Sequence, residues 1–533
     1  MHDSGSGIPK PDRRLFLLWG ILAGGALILR ALFMQARLVL SGDEVHYAES
    51  LHHFLNGRFI DGVSDYWSVL YPLAAVPFGR LYGGVEPALR LVSVLSGAAA
   101  VVPIMYIASR LHGWRAALFT GALVAMHPTL ITFSAAAMTE PLYSLLLMMS
   151  VLFMILFMER GGWRELVPAG LLLGLAFLVR QEAQFILAIY LLAILIGRGG
   201  EGLKAPAGRR IGRAAVMAGL FIVVTLPYLA AVHQKTGRWT AGSKAAVNLS
   251  SPAIWEEGLE RERYVYSLNE EGTRRRIDEI GSEGAVRVLW RQRGAIASRY
   301  LPEMNGGVKL LPLLLGTPLL LILVPLGLFG RAWKRERRGA EFLLLVLGFF
   351  PFVLYSIFRI EIRYLVPFLP LYLLWGGVGC DVIVTWVREN VSRHRALGLA
   401  TLLVIFMSLV PVTIRRYASV RRSQPLEYIE IGRAVASLGE RGKVLAHPGC
   451  SASFYAGVPE ATFIPWTDME GLRRYARMHG YRYLVVDEDY IRGFRPTLGG
   501  FLDGSDMEGF ERVLSVVKET GGAVVLYRFE PDG

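Results

Sequence analysis

Apolar stretches close to twenty residues long recur along the whole of this 533-residue chain. That is the length an α-helix needs to cross a hydrocarbon layer about 30 Å thick. Inside such a layer every backbone polar group must be satisfied within the chain, so these stretches are read as helices. In order they fall near 15–36, 88–109, 115–133, 138–158, 166–180, 183–197, 212–232, 309–330, 341–358, 364–386 and 397–414, which makes about eleven crossings. The composition agrees, with 53% hydrophobic residues and a mean hydropathy of +0.41. A charged fraction of 19% is too high for a chain that is membrane throughout, so sizeable water-facing parts stand beside the spans.

The net charge of +13 is carried largely by short loops between alternate apolar segments. Arg110 and Arg115, Arg160 and Arg164, the group from Lys204 to Arg213, the run Arg331 to Arg338, and Arg388 to Arg395 all fall on one side of the expected register. Cytoplasmic loops are enriched in this way, and the pattern does not describe a nucleic-acid groove. The basic flank Lys10, Arg13 and Arg14 precedes a long apolar run without a small-residue cleavage site, so it is read as the cytoplasmic start of a retained first span. Cys380 and Cys450 are the two cysteines, and neither has a partner at metal-ligand spacing.

The other, extracytoplasmic side then receives the loop 37–87, the turn around Ala137 to Glu140, Arg180-Gln181-Glu182, the loop 233–307, the turn Arg359 to Arg363 and the tail from 415. The expected fold class is a polytopic α-helical membrane protein, residues 1–414, with a C-terminal extracytoplasmic α/β domain, residues 415–533. Strand-like runs at 443–447, 483–487 and 523–527 alternate there with helical stretches near 426–440, 468–479 and 506–519. No glycine-rich phosphate fingerprint accompanies the strands.

Chemistry is sought on the extracytoplasmic face, where Gly42-Asp43-Glu44 follows the first span. Val45, Ala48, Leu51 and Leu55 recur at helical spacing, which predicts a short helix lying on the membrane with Asp43 at its start. Asp43 would cap that helix while Glu44 favours the positive end of its dipole. A carboxylate held there could also accept a proton from an acceptor hydroxyl, and the two roles are compatible.

The first span, Gly-Asp-Glu with Tyr47 three residues on, and then Asp65-Tyr-Trp-Ser-Val-Leu-Tyr-Pro72 form an ordered set. His127-Pro128 with Ser134 to Tyr143, and the run Arg359 to Pro370, continue it. Together they resemble the GT-C glycosyltransferases, and most closely family 39, which includes protein O-mannosyltransferases and the lipid A aminoarabinose transferase. The resemblance covers the membrane region in outline and is strongest over about 37–185. It implies an inverting transferase that takes a sugar from a polyprenyl-phosphate carrier and delivers it to an extracytoplasmic protein, lipid or glycan, in a bacterial or archaeal cell membrane. Asp43 matches the family's base, and Glu44 and Glu140 match acidic positions lining the same cavity. Ser68-Val69-Leu70-Tyr71 stands where the aminoarabinose transferases carry a glutamate-lysine pair, a departure that points away from lipid A modification.

A leaving polyprenyl phosphate gains negative charge as the glycosidic bond breaks, so cations or a metal should lie near it. Arg363, Arg359 and Arg180 are the candidates, in that order, with headgroup anchoring or a buried pair of Arg180 with Glu182 as the competing roles. Asp43, His46 and His53 could share one helix face and hold a divalent cation, although such spacing is common on any polar face. Tyr47 and Tyr71 are expected to pack at the interface. Asn248-Leu-Ser250 matches an N-glycosylation acceptor, a frequent motif. In the loop 233–307, Ile277, Ile280, Leu289 and Ile296 are spaced as one side of a surface helix, after Arg274 to Arg276, that would cover the site; the pattern fits a solvated linker with headgroup-facing charges equally well. The rival reading, a flippase for lipid-linked saccharides or another transporter, needs polar residues along a path across the bilayer, whereas here they gather at one face.

Overall fold

The computed structural model describes residues 13–240, 243–249, 259–280, 283–391, 395–439, 442–447, 450–458, 462–503, 507–519 and 521–530. The helices used below are α1 (Arg13–Met34), α2 (Asp43–Leu55), α3 (Leu70–Tyr82), α4 (Val85–His112), α5 (Trp114–Met126), α6 (Pro128–Ser134), α7 (Glu140–Arg160), α8 (Trp163–Val179), α9 (Ala183–Ile196), α10 (Ala207–Thr236), α11 (Ser243–Leu249), α12 (Ala285–Arg291), α13 (Arg293–Leu315), α14 (Pro318–Phe329), α15 (Arg338–Tyr355) and α16 (Ile362–Asn390). Among the described residues seven helices are long and apolar enough to cross a membrane, or nine if each of two bent pairs is one span. The remaining two of the eleven expected crossings are α8 and α9, of 17 and 14 residues. At 1.5 Å per residue they reach about 25 and 21 Å, short of the hydrocarbon thickness.

Proline decides where the bent pairs break. α5 and α6 meet at 53°, and α13 and α14 at 109°, so the continuous span expected at 309–330 does not form. A proline at position i leaves the carbonyl of residue i−4 without its helical donor, and the Val124 carbonyl stands in that relation to Pro128. Arg30 of α1, fully buried, donates to the Val124 carbonyl at 3.1 Å, the Ala125 carbonyl at 3.0 Å and the Ser134 hydroxyl at 3.3 Å. At the second break the Leu315 carbonyl lies 3.1 Å from His127 Nε2, and the Thr129 hydroxyl donates to the Leu314 carbonyl. The first break thus supplies side chains to the exposed backbone of the second, while its own carbonyls are met by Arg30 of α1.

Small residues set how closely the bundle packs, as in other membrane helix pairs. A Cβ at Gly327 would stand 1.8 Å from the Trp375 carbonyl oxygen, and one at Gly377 2.3 Å from the Thr120 hydroxyl. At the end of the bundle remote from Asp43, Arg115 and Arg331 both pair with Asp381, at 3.1 and 3.0 Å, and Arg110 pairs with Glu159. These basic loops share one end, as the sequence register requires.

The tail carries a five-stranded sheet in the order β2-β1-β3-β5-β4, from β1 (Lys443–Ala446), β2 (Thr462–Phe463), β3 (Tyr481–Asp487), β4 (Phe510–Val517) and β5 (Ala523–Phe529). The β2-β1-β3 part is parallel, and β5 and β4 add antiparallel. Alternation sorts the strands' side chains into two cores: Leu445, Leu484, Val486, Val525 and Tyr527 on one face, Val444, Tyr483, Val485, Val524 and Leu526 on the other. The helix expected near 506–519 is replaced by β4. Its valine-rich run pairs with β5 from Phe510↔Phe529 to Val517↔Ala523 across a connection containing Gly521 and Gly522, both at positive φ. That Gly-Gly connection is the signal which marks a hairpin.

Helix Leu409–Arg422 runs through the domain boundary expected at 414/415. The tail also meets the membrane part directly. Gln424 Oε1 accepts from the Leu38 and Val39 amides, and Tyr455 accepts from the Leu40 amide at 3.1 Å and donates to Glu86 at 3.2 Å.

Candidate active site

α2 forms where the sequence predicts it. Gly42, at φ 57°, turns the chain out of the first span's exit loop into it, a conformation that glycine adopts without strain. Gly42 occupies the N-cap position and Asp43 the first turn, so the expected Asp43 cap does not form. Arg363 Nη2, at the start of α16, donates to Asp43 Oδ2 at 2.5 Å. Glu44 is buried and held by backbone, with Oε2 accepting from the Ser41 amide at 3.0 Å and Oε1 from the Ala137 amide at 2.8 Å. It fixes the 41–44 turn against the 135–139 turn and does not line the cavity.

Glu140 opens α7 and is wholly buried, against 20% exposure for the Asp43 side chain. It accepts from Arg180 Nη1 at 3.0 Å and lies 3.6 Å from Arg363 Nε, bridging the two arginines from behind. Arg180, at the end of α8, also donates to Glu182 at 2.5 Å, and the Tyr355 hydroxyl donates to the same carboxylate at 2.5 Å. Tyr355 stacks on Tyr364 with centroids 4.6 Å apart, and both guanidinium groups lie 5.6 Å from the Tyr364 ring centre. Sequence-distant ends of α2, α7, α8, α15 and α16 thus meet in one charged cluster.

The cluster borders a cavity of about 650 Å³. Tyr47, Trp67, Arg180, Glu182, Lys244, Tyr355 and Arg363 supply its polar wall, whereas Phe177, Phe185, Val286, Leu289 and Phe358 supply an apolar one. The loop 233–307 does line the site, through Thr240, α11 and α12. Asn248 is one of these lining residues; Ser250 of the same motif lies outside the described residues. Of the predicted surface stripe, Ile296 is buried and Leu289 is 39% exposed. Arg359 is half-buried and is not part of the cavity wall.

Lys244 was not singled out by the sequence. It lies in a polar stretch with no motif around it, and only the folding of α11 over Tyr66 and Trp67 brings it in, with Nζ 5.2 and 4.5 Å from their ring centres. Burial alone would raise the Asp43 carboxyl, but Lys244 and Arg363 together hold it below the usual carboxylate value. Burial lowers Lys244 itself, against the pull of Asp43. Tyr47 is buried edge-on to Trp67 and Tyr71, and its phenol is raised, chiefly by burial, so it stays a hydrogen-bond donor. Among the described residues no group of three or more His, Cys, Asp and Glu side chains is arranged to hold a metal ion. His46 instead stacks on Trp67 at 4.4 Å.

Solved structures share this fold. ArnT from Cupriavidus metallidurans bound to undecaprenyl phosphate superposes with a TM-score of 0.59 at 16% identity, over 96% of this chain and 97% of that one. The archaeal oligosaccharyltransferase AglB from Archaeoglobus fulgidus, in complex with an inhibitory peptide and a dolichol-phosphate, gives 0.61 at 12% identity, over 96% of this chain and 74% of that one. The chain therefore has the fold of these proteins and is a multi-pass membrane protein. Residues 70–236 match the family model described as dolichyl-phosphate-mannose-protein mannosyltransferase. The match contains Glu140, Arg180 and Glu182. No curated protein matches in sequence.

Proposed function

We propose that this chain transfers a sugar from a polyprenyl-phosphate-linked donor to an extracytoplasmic acceptor, with Asp43 as general base and inversion at the anomeric carbon. The observation that carries this reading is the half-open Asp43–Arg363 pair beside a cavity with one charged and one apolar wall. A donor that is a phosphosugar at one end and a hydrocarbon at the other needs both walls. In the reaction the acceptor O–H or N–H gives its proton to Asp43, and the freed electron pair attacks the anomeric carbon. The bond to the phosphate oxygen then breaks, and polyprenyl phosphate leaves with the bonding pair. Charge growing on that phosphate meets Arg363, whose two parallel N–H groups suit a phosphate. Glu140 and Glu182 orient Arg180 and Arg363, and Tyr47 offers a hydroxyl at the cavity wall.

The experiment is transfer by purified protein supplied with undecaprenyl-phosphate sugars, read by mass spectrometry of the acceptor fraction. Arg363→Ala is expected to lower transfer strongly and Arg363→Lys to recover only part of it, because lysine keeps charge but loses the fork. Equal turnover of the lysine variant and the parent at subsaturating donor would make Arg363 a headgroup anchor, for which charge on a long stem suffices.

A further inference from the structure

The cations of the cluster differ in how far they are committed. Arg180 is engaged by Glu140 and Glu182, and Arg363 by Asp43 with Glu140 close behind. Lys244, among the described residues, has no carboxylate within ion-pair distance and rests on two aromatic faces, a contact that leaves its N–H donors available. It is also the cation that brings the net charge of the cluster to zero: Asp43, Glu140 and Glu182 are negative, and Arg180, Arg363 and Lys244 positive. An entering phosphodiester adds one negative charge, and the group free to meet it without first breaking an ion pair is Lys244.

The shape of the cavity agrees. Phe185, Trp239, Val286 and Leu289 line it and are 45%, 63%, 82% and 39% exposed, a side open to an apolar environment. A lipid tail leaving that way places its phosphate between the apolar wall and the charged one, where Lys244 and Arg363 both line the cavity.

We infer that Lys244 is a binding residue for the phosphate of the polyprenyl carrier, presented by α11 and sharing that phosphate with Arg363. The inference rests on the transferase reading above and names the residue that first receives its donor. The competing role is a structural one, in which Lys244 merely pins α11 to Tyr66 and Trp67.

The test uses the full chain in phosphatidylcholine nanodiscs, titrated with undecaprenyl phosphate and, separately, with uncharged undecaprenol, and read by native mass spectrometry. Losing one charge-assisted contact is expected to weaken undecaprenyl phosphate binding of Lys244→Gln about tenfold or more and to leave undecaprenol binding unchanged. Lys244→Arg should keep most of the affinity, and the thermal midpoint of each variant reports whether α11 still packs. Parent-like phosphate affinity in Lys244→Gln, or equal loss for both lipids, overturns the assignment. If the parent itself shows no preference for the phosphate, the assignment falls together with the donor reading. If the parent prefers it, Asp43→Asn retains it and transfer is lost, but Lys244→Gln binds normally, only the lysine is wrong.

Discussion

Three carboxylates near one another have three different surroundings. Glu44 is satisfied by two backbone amides, Glu140 is sealed behind two arginines, and of the three only Asp43 keeps part of its side chain exposed. Asp43→Asn preserves size but cannot take a proton, so transfer should fall by about 10²- to 10⁴-fold, the usual contribution of a general base, while undecaprenyl phosphate binding persists. Normal turnover of that variant would remove the base assignment. Glu140→Gln should cost less, because it disturbs only the aim of the arginines. A pH prediction follows from Lys244 and Arg363 holding the Asp43 carboxyl low. A base must be ionised, so in the parent the acid limb of kcat/KM for donor should lie below the unperturbed carboxylate value of about 3.9. Removing one cation in Lys244→Gln lets the Asp43 pKa rise and should move that limb to higher pH. A limb that stays in place or moves down would mean that another group controls it.

At the scale of elements, proline breaks two helices inside the bundle, and a buried arginine and a histidine repair the exposed backbone. Arg30→Leu keeps the volume approximately but strands the carbonyls of Val124 and Ala125, at about 1–3 kcal/mol for each unsatisfied group. The thermal midpoint in detergent should drop clearly, and an unchanged midpoint would show that water or a rearranged side chain takes over. The breaks were partly legible, since Pro128 and Pro318 stand in plain view within apolar runs. Their angles were not, because hydropathy reports only whether a segment tolerates lipid. In the tail, the residues of β4 suit a helix as well as a strand by pattern alone: Val513, Val516 and Val517 fit a helical stripe as well as a strand face. Pairing with β5 decided the matter, and it depends on residues 523–529 being adjacent in space.

For the molecule as a whole, the charged cluster and the tail lie at one end of the bundle and the paired basic loops at the other. With basic loops in the cytoplasm, the N-terminus should be inside and residues 415–533 outside, facing the same compartment as Asp43. Reporter fusions at both ends check this, and a C-terminal fusion active only in the cytoplasm would reverse it. The tail rests on the segment that delivers Asp43, through Gln424 and Tyr455 to residues 38–40. Tyr455→Phe removes one of these links, and it should lower transfer modestly while leaving undecaprenyl phosphate affinity intact. An equal fall in lipid affinity would instead mean that the tail shapes the donor cavity.

The sequence by itself determined that the chain is a multi-pass membrane protein, because lipid imposes a length and a composition that can be read residue by residue. It also determined which polar turns share a face, since alternate loops carry the positive charge, and it singled out Asp43, Arg180 and Arg363. Only the tertiary structure decided what those residues do to one another. The Asp43–Arg363 pair joins positions 320 residues apart, Glu44 and Glu140 part company through burial, and Lys244 enters from a loop with no motif. The physical reason is range: hydropathy and helical period act locally along the chain, whereas an ion pair in a cavity depends on distances of a few ångströms between helices that the sequence does not rank.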